Sequence, residues 1–355
     1  MKIRSIDVRL LTTPLHMPFR TRYGQTDKVE HVVVKVETDE GLFGIGEAAP
    51  LVDFTGETPQ IVEAFIQTVL SHLLVGNSPE DLEDLHQRME RIPGNTSAKA
   101  AVDMALYDLA AKSINRPLYM LLGGRFREQV EVAEAVGIGS PREMADQAVK
   151  LVELGFRTIK IKVGGHLLED VERVRSTRDA VGANVNIRVD ANGSFSFGEA
   201  LRFIHRIERY EPQYVEQPLR PDLIAEMAML RKKISIPLAA DESMHNPSDA
   251  LRIISTGAAD VLAVKLVKCG GIHNAKKILT LAEVAQIPCV MISPFEIGIG
   301  LAANLHLAYS SKIVESACEL AIGTLYDDPF TKGLHIDYPY MSLPNSPGLG
   351  VSLHM

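Results

Sequence analysis

The chain has 355 residues, more than one small core needs and enough for a large domain with a smaller companion. A net charge of −8 argues against a general nucleic-acid binder, which needs a basic excess, and no stretch approaches the ~20 apolar residues of a membrane span. Apolar residues at 46% and charged residues at 23% exclude wholesale disorder.

In chain order, the first elements read as strands. Ile3 to Leu11 alternates apolar and polar residues, so the N-terminus reads as a strand and not as a signal peptide. His31 to Thr38 is rich in valine, and Asp39-Glu40-Gly41 turns the chain into a returning strand from Leu42 to Glu47. Residues 59–91 have helical spacing, and residues 96–114 predict an alanine-rich amphipathic helix with a Thr/Ser start. Together these make an α+β unit.

From Val130 onward short β-rich runs alternate with amphipathic segments. Strands are expected at 131–137, 157–163, 185–191, 212–217, 236–241, 260–267, 288–293 and 312–318. Helices are expected near 141–154, 167–181, 197–209, 222–233, 247–255, 271–285 and 298–309. Eight strands at this βα spacing predict an α/β chain with a closed parallel barrel. No Gly-x-Gly-x-x-Gly follows an early strand, which argues against a dinucleotide-binding sheet. The last segment, rich in Pro and Gly, reads as a tail returning over the first domain. The division expected is 1–125, 126–320 and 321–355. The three cysteines, Cys269, Cys289 and Cys318, match no zinc spacing and predict free thiols in a reducing cytoplasm.

Polar residues recur at the C-terminal ends of these strands, which in a barrel ring the active-site mouth. Asp190, Glu216 and Asp241 stand about 25 residues apart, one per unit, on three successive strands. Parallel neighbours lie ~4.8 Å apart, so three such carboxylates repel unless a cation joins them. A hard divalent ion with oxygen ligands does this, and Mg²⁺ leaves positions open for substrate. Each acid alone reads equally well as a surface residue; three in register with lysines do not. Lys160 and Lys162, two apart, point to one side of their strand, while Ile159, Ile161 and Val163 point to the other. A lysine base working near neutrality needs its pKa lowered by about 2–3 from ~10.4. A second ammonium and a divalent cation act in that direction. Lys265 falls on the strand opposite Lys162 in an eight-strand ring, so the pair flanks one substrate from two faces, as a 1,1-proton transfer requires. Lys268 follows the strand and reads as a loop or helix-start residue.

With these residues in view, the chain resembles the enolase superfamily, specifically the muconate lactonizing enzyme subgroup. In the first domain the resemblance rests on Gly44-Ile45-Gly46-Glu47-Ala48, Ala98-Lys99-Ala100-Ala101-Val102-Asp103 and Leu121-Leu122-Gly123-Gly124. In the barrel it rests on Lys160-Ile161-Lys162, Val189-Asp190-Ala191-Asn192, Glu216-Gln217-Pro218, Asp241-Glu242-Ser243 and the run from Lys265 to Gly271, with Pro347-Gly348-Leu349-Gly350 in the tail. The resemblance implies a modified (β/α)₇β TIM barrel with an α+β capping domain. It implies one Mg²⁺ on Asp190, Glu216 and Asp241, and Lys162 and Lys265 as opposed acid/base groups, with Lys160 in support. It implies an isomerase that removes the proton next to a substrate carboxylate through an enediolate. The seventh strand, Cys289 to Ser293, has no His, which disfavours the mandelate racemase branch.

For substrate, the resemblance points to cap loops closing over the barrel mouth. In residues 18–24, Arg20 and Arg22 are expected to meet a distal carboxylate or carbonyl, beside Tyr23; Phe54 adds an aromatic wall from a second loop. Ser293 and Glu296 are expected at the seventh strand's mouth, touching substrate or tuning Lys265. Residues 316–320 contain one acid, Glu319, where dipeptide epimerases carry Asp-x-Asp, so an N-acylated amino acid fits better than a free-amine dipeptide. A racemase or epimerase is the leading expectation. The alternatives are a cycloisomerase or dehydratase sharing the enolate chemistry, and a non-catalytic binding barrel. The expected partner is a small-molecule carboxylate, with homo-oligomerisation by analogy. His306 is expected to pack in a helix, and Asp103 and Asp108 to be structural.

Overall fold

The structure, a computed structural model, describes residues 1–314, 317–320 and 322–354. Valines on alternate positions bury one side of an antiparallel sheet of Ile3–Thr21, Gly24–Thr38 and Phe43–Ala48. The first two strands pair as far as Thr21 opposite Gly24. Residues 18–24, expected as a loop, are therefore the tip of a long two-stranded ribbon. The sequence obscures this because proline lacks an N–H for the ladder, and the register shifts between Pro14 and Phe19.

The helix Thr96–Ser113 is buried at every residue from Ser97 to Ala111, which corrects the amphipathic expectation. It lies between the sheet and the barrel, touching Phe43–Ala48 on one side and Leu266–Cys269 and Ile272–Ala285 on the other. Small residues permit this: a Cβ at Gly44 would run into the carbonyl of Ala105, and one at Gly46 into that of Ala101. Asp103 accepts from the Ile272 N–H and meets His86 at 2.6 Å, while Asp108 accepts from the N–H groups of Ile45 and Leu349. Both tie the helix to other units, as expected.

Seven parallel strands follow, neighbours in chain order: Glu134–Val136, Thr158–Lys162, Asn186–Asp190, Tyr214–Glu216, Leu238–Ala240, Val261–Val264 and Cys289–Met291. Bridges from Cys289 to Val314, Ile292 to Glu319 and Val132 to Cys318 close the ring through the eighth position. Of the strand expected at 312–318, residues 315 and 316 lie outside the described residues. The expected first strand is interrupted: Val130–Glu131 pairs with Tyr340–Ser342 of the tail, and only Glu134–Val136 joins the barrel. Among the described residues each of these strands is followed by a helix, from Pro141–Glu153 after the first to Gly298–Ser310 after the seventh, with the short helix Leu266–Cys269 in addition. Two start at Ser140 and Ser196, each in a capping box with the glutamate three residues on.

The tail divides its contacts. Thr331–Lys332 pairs with Ser352–Leu353, Leu349 bonds to Asp108 in the C-terminal half of the long cap helix, and Gly348 bonds to Arg116 and Leu118 just past its end. His306 is buried, its Nδ1 accepting from Tyr119 N–H and its Nε2 facing the Leu349 carbonyl at 3.1 Å. Among the described residues no helix is long and apolar enough to cross a membrane.

Candidate active site

The barrel's register sets the acids. Lys162 stands opposite Asp190, and Asp190 opposite Glu216, in one row across three adjacent strands. Asp241 follows the next strand, whose Ala239 is opposite Glu216. All three acids are fully buried. Asn192 and Gln217, with φ of 44° and 36°, turn the chain just past Asp190 and Glu216 in the left-handed region. Gln217 then positions the third acid: its Oε1 accepts from the N–H groups of Asp241 and Ser243, both at 3.1 Å.

The lysines meet these acids directly. Lys160 Nζ lies 2.7 Å from Glu216, 2.7 Å from Glu319 and 3.1 Å from Asp190; Lys162 Nζ lies 2.6 Å from Asp190. Lys265 donates to Asp241 Oδ2. Lys268, expected as a loop or helix-start residue, belongs to the short helix Leu266–Cys269, and its buried ammonium donates to Asp241 Oδ1 and O. The helical turn after Lys265, closed by the Lys268 N–H on the Lys265 carbonyl, places it beside Lys265 on the same acid, which spacing alone does not reveal.

Burial would raise Asp190 and Asp241, but Lys160 and Lys162 for the first, and Lys265 and Lys268 for the second, outweigh it and hold both below the usual carboxylate range. Glu216 goes the other way: burial and the charge of Asp190 push it well above. Burial lowers Lys160 and Lys265, yet the facing carboxylates prevail and hold both above the ordinary lysine value. That corrects the expected lowering. For Lys265 the Lys160 ammonium acts in the lowering direction, and Asp241 outweighs it.

The donor set fits a hard divalent ion. It is all oxygen and buried, and Glu216 Oε2 has no hydrogen-bond partner. Among the described residues no acids, histidines or cysteines stand grouped as a ready metal cluster. Each of the three acids instead carries an ammonium: Lys160 reaches Asp190 and Glu216, and Lys265 and Lys268 reach Asp241.

A cavity opens above the acids, lined by Lys160, Lys162, Lys265, Ser293 and Glu319 from the barrel and by Tyr23 and Phe54 from the cap. Phe54 lies over the Lys265 ammonium, 4.4 Å from it, and meets Tyr23 edge to face. Tyr23 OH donates to Glu242 Oε1, 3.2 Å away, which fixes the ribbon tip on the barrel. Arg20 and Arg22, expected to meet substrate, do not line the cavity. Arg20 bonds Gln25 on the exposed ribbon, and Arg22 donates to the carbonyls of Asn192 and Gly193. Arg22 and Tyr23 form the turn at the tip, and the Arg22 guanidinium lies over the Tyr23 ring, 5.4 Å from its centroid. Glu296 also misses the cavity: it is fully buried, accepts from Asn304 at 2.9 Å, and burial pushes its carboxyl up to about 8. The Glu296 N–H donates to Ser293 Oγ at 2.8 Å, and the Ser293 hydroxyl also acts on the Glu296 carboxyl.

Three residues escaped the sequence reading. Arg188 is fully buried inside the barrel, donates to the Ala317 carbonyl and, with Tyr214, holds Glu319. Glu242 accepts from Asn192 at 2.9 Å, and Glu134 lines the cavity from the first strand. The inward alternation of Arg188 with Asp190 was a usable signal, and Glu242 stood in the strand-end run Asp241-Glu242-Ser243 without being given a role; Glu134 had no signal.

Fold and site together define a barrel enzyme of the acid–base class, closed by a cap. A family profile described as mandelate racemase/muconate lactonizing enzyme, N-terminal domain, matches residues 4–123, and one described as enolase C-terminal domain-like matches residues 143–355. The chain is 36% identical to the N-succinyl-L-Arg/Lys racemase of Bacillus cereus, over 100% of this chain and 96% of the relative. It is 38% identical to the L-Ala-D/L-Glu epimerase of Clostridium acetobutylicum, over 99% of each. The crystal structure of the dipeptide epimerase from Enterococcus faecalis V583, complexed with Mg and the dipeptide L-Leu-L-Tyr, superposes with a TM-score of 0.94 at 35% identity, covering 99% of this chain and 100% of that one. The chain belongs to the mandelate racemase/muconate lactonizing enzyme family of the enolase superfamily, in the muconate lactonizing enzyme subgroup, and it is an isomerase.

Proposed function

We propose that this isomerase is a Mg²⁺-dependent racemase or epimerase that inverts the carbon next to the carboxylate of N-acylated amino acids or dipeptides. One observation carries the reading. Lys162 and Lys265 stand on strands four places apart in the ring, yet both line one cavity, both buried and each on its own carboxylate. The relatives named above act on N-succinyl amino acids and on dipeptides, and the Enterococcus structure contains Mg.

In this reading one lysine, as the free amine, takes the α-proton from its face of the substrate. The electron pair moves into the carboxylate as an enediolate, and the other lysine, as the ammonium, returns a proton on the opposite face. Lys160, fixed by Glu216 and Glu319, orients the wall beside Lys162. Phe54 and Tyr23 shield the cavity from water. Asp190, Glu216 and Asp241 would hold the divalent cation. When bound there, it supplies the positive field that takes up the substrate's growing charge and competes with the lysines for the acids. The working division is a cap of 1–125, a barrel of 126–320 and a tail of 321–355. Three buried free thiols support a reducing, cytoplasmic setting, and homo-oligomerisation belongs to the reading.

The test follows α-proton exchange by NMR in deuterated water with Mg²⁺. The wild-type enzyme should exchange both enantiomers. Lys162→Ala should lose exchange of one and Lys265→Ala of the other, each by ~10²–10⁴-fold. If both variants still exchange both enantiomers, the assignment fails; ring closure without exchange would mark a cycloisomerase.

A further inference from the structure

Glu134 belongs to neither the three acids nor the lysine set, yet it lines the same cavity. It is 6% exposed. Its Oε1 accepts from the Ala135 N–H at 2.7 Å, and its Oε2 accepts from Thr324 Oγ1 in the segment after the barrel. A carboxylate offers about four acceptor positions, so two remain. The groups that act on its charge are Thr324, Ala135 and Glu319, none of them cationic. Burial accordingly pushes its carboxyl up to about 7, the state of an interior acid that no positive group has offset.

Its place in the ring gives that acid a direction. Asp190, Glu216 and Asp241 occupy three adjacent strands, the third to the fifth. Glu134 stands on the first strand and Glu319 at the eighth position, on the opposite arc. A substrate whose carboxylate faces the three acids and their cation therefore turns another part toward Glu134. There it meets Phe19, Phe295 and Tyr326, with Asp53 at the exposed mouth. Among the described residues no arginine lines this cavity: Arg20 is held by Gln25 and Arg22 by backbone carbonyls. Lys160, Lys162 and Lys265 are each engaged by acids. The far wall thus combines negative charge with aromatic faces, both of which favour a cation.

We propose that Glu134 is a specificity residue that selects substrates carrying an ammonium or guanidinium group away from the reacting carboxylate. This rests on the cavity being the racemase or epimerase site, and it replaces the expected anionic acyl end with a cationic one. The same chemistry could come from a dipeptide's α-ammonium or from a basic side chain.

Two matched pairs separate these sources. L-alanyl-L-leucine against N-acetyl-L-alanyl-L-leucine probes the α-ammonium, and N-acetyl-L-lysine against N-acetyl-L-norleucine probes the side chain. Exchange is followed in deuterated water with Mg²⁺, and the readout is the ratio of kcat/KM for the cationic over the neutral member. The wild-type ratio should exceed about tenfold in at least one pair, and Glu134→Gln should reduce it at least about tenfold, mainly through KM. Glu134→Asp should restore part of it. A misfolded or loosened variant lowers both members and leaves the ratio unchanged, so an unchanged ratio overturns the proposal. A wild-type preference for the neutral member in both pairs overturns it as well. Exchange without discrimination removes this proposal alone, whereas no wild-type exchange of any of the four removes it together with the reading of the site.

Discussion

Glu216 ends its strand with one oxygen on Lys160 and the other without a partner, and Asp241 carries two ammoniums. Asp241→Asn should weaken Mg²⁺ binding in calorimetry at least ~10-fold, since even an outer partner of a ligand is worth ~10–100-fold. Unchanged binding would remove Asp241 from the ligand set. Glu296 provides a second residue-scale test. Its carboxyl is raised from 4.5 to about 8, chiefly by burial and then by Glu47. Between those values the folded chain holds a proton that the unfolded chain has released, so stability falls as pH rises across that window. The penalty is absent below 4.5 and complete above about 8. Glu296→Gln should flatten that fall in urea unfolding at about pH 5 and about pH 9; parallel slopes in both proteins would count against it. Residue identities were legible wherever chemistry and strand period agreed, as at Lys160, Lys162 and Asp190. Glu296 and the two ribbon arginines were misplaced because a motif states which residue is present and not which way its side chain leaves the backbone.

At the scale of elements, close approach of the cap sheet and the cap helix decides much of the packing. Gly46 faces the Ala101 carbonyl with no room for a methyl group. Gly46→Ala should therefore destabilise the protein by about 1–3 kcal/mol and lower Tm, measured by calorimetry. A variant that melts with the wild type would mean the two elements part without cost. The long ribbon is the other decisive element. Its tip carries Tyr23 onto Glu242 and Asn192, and Arg22 onto the turn after Asp190. The spacing of βα units was readable because both periods, two and 3.6, are local. The ribbon was not, because two prolines interrupt the alternation and its pairing partner lies across a turn that has no hairpin signal.

At the scale of the molecule, the tail fastens cap and barrel together. Leu349 and Val351 are buried, Leu349 donates to Asp108, and Ser352–Leu353 completes a strand pair. Removal of residues 344–355 should cost at least ~2 kcal/mol in urea unfolding, from lost apolar burial and an acid left with fewer donors. Stability equal to the full chain would show that the tail rides on the fold without holding it. The sequence by itself determined the eight-unit rhythm, the acids and lysines at successive strand ends, and the family, because each depends on residue type and near-neighbour spacing. Only the tertiary structure decided which ammonium meets which carboxylate, that Arg20 and Arg22 stay outside the cavity, and that Glu134 faces into it. Those outcomes depend on ring closure and on the angle at which the cap meets the barrel, and both are set by contacts between residues more than a hundred positions apart.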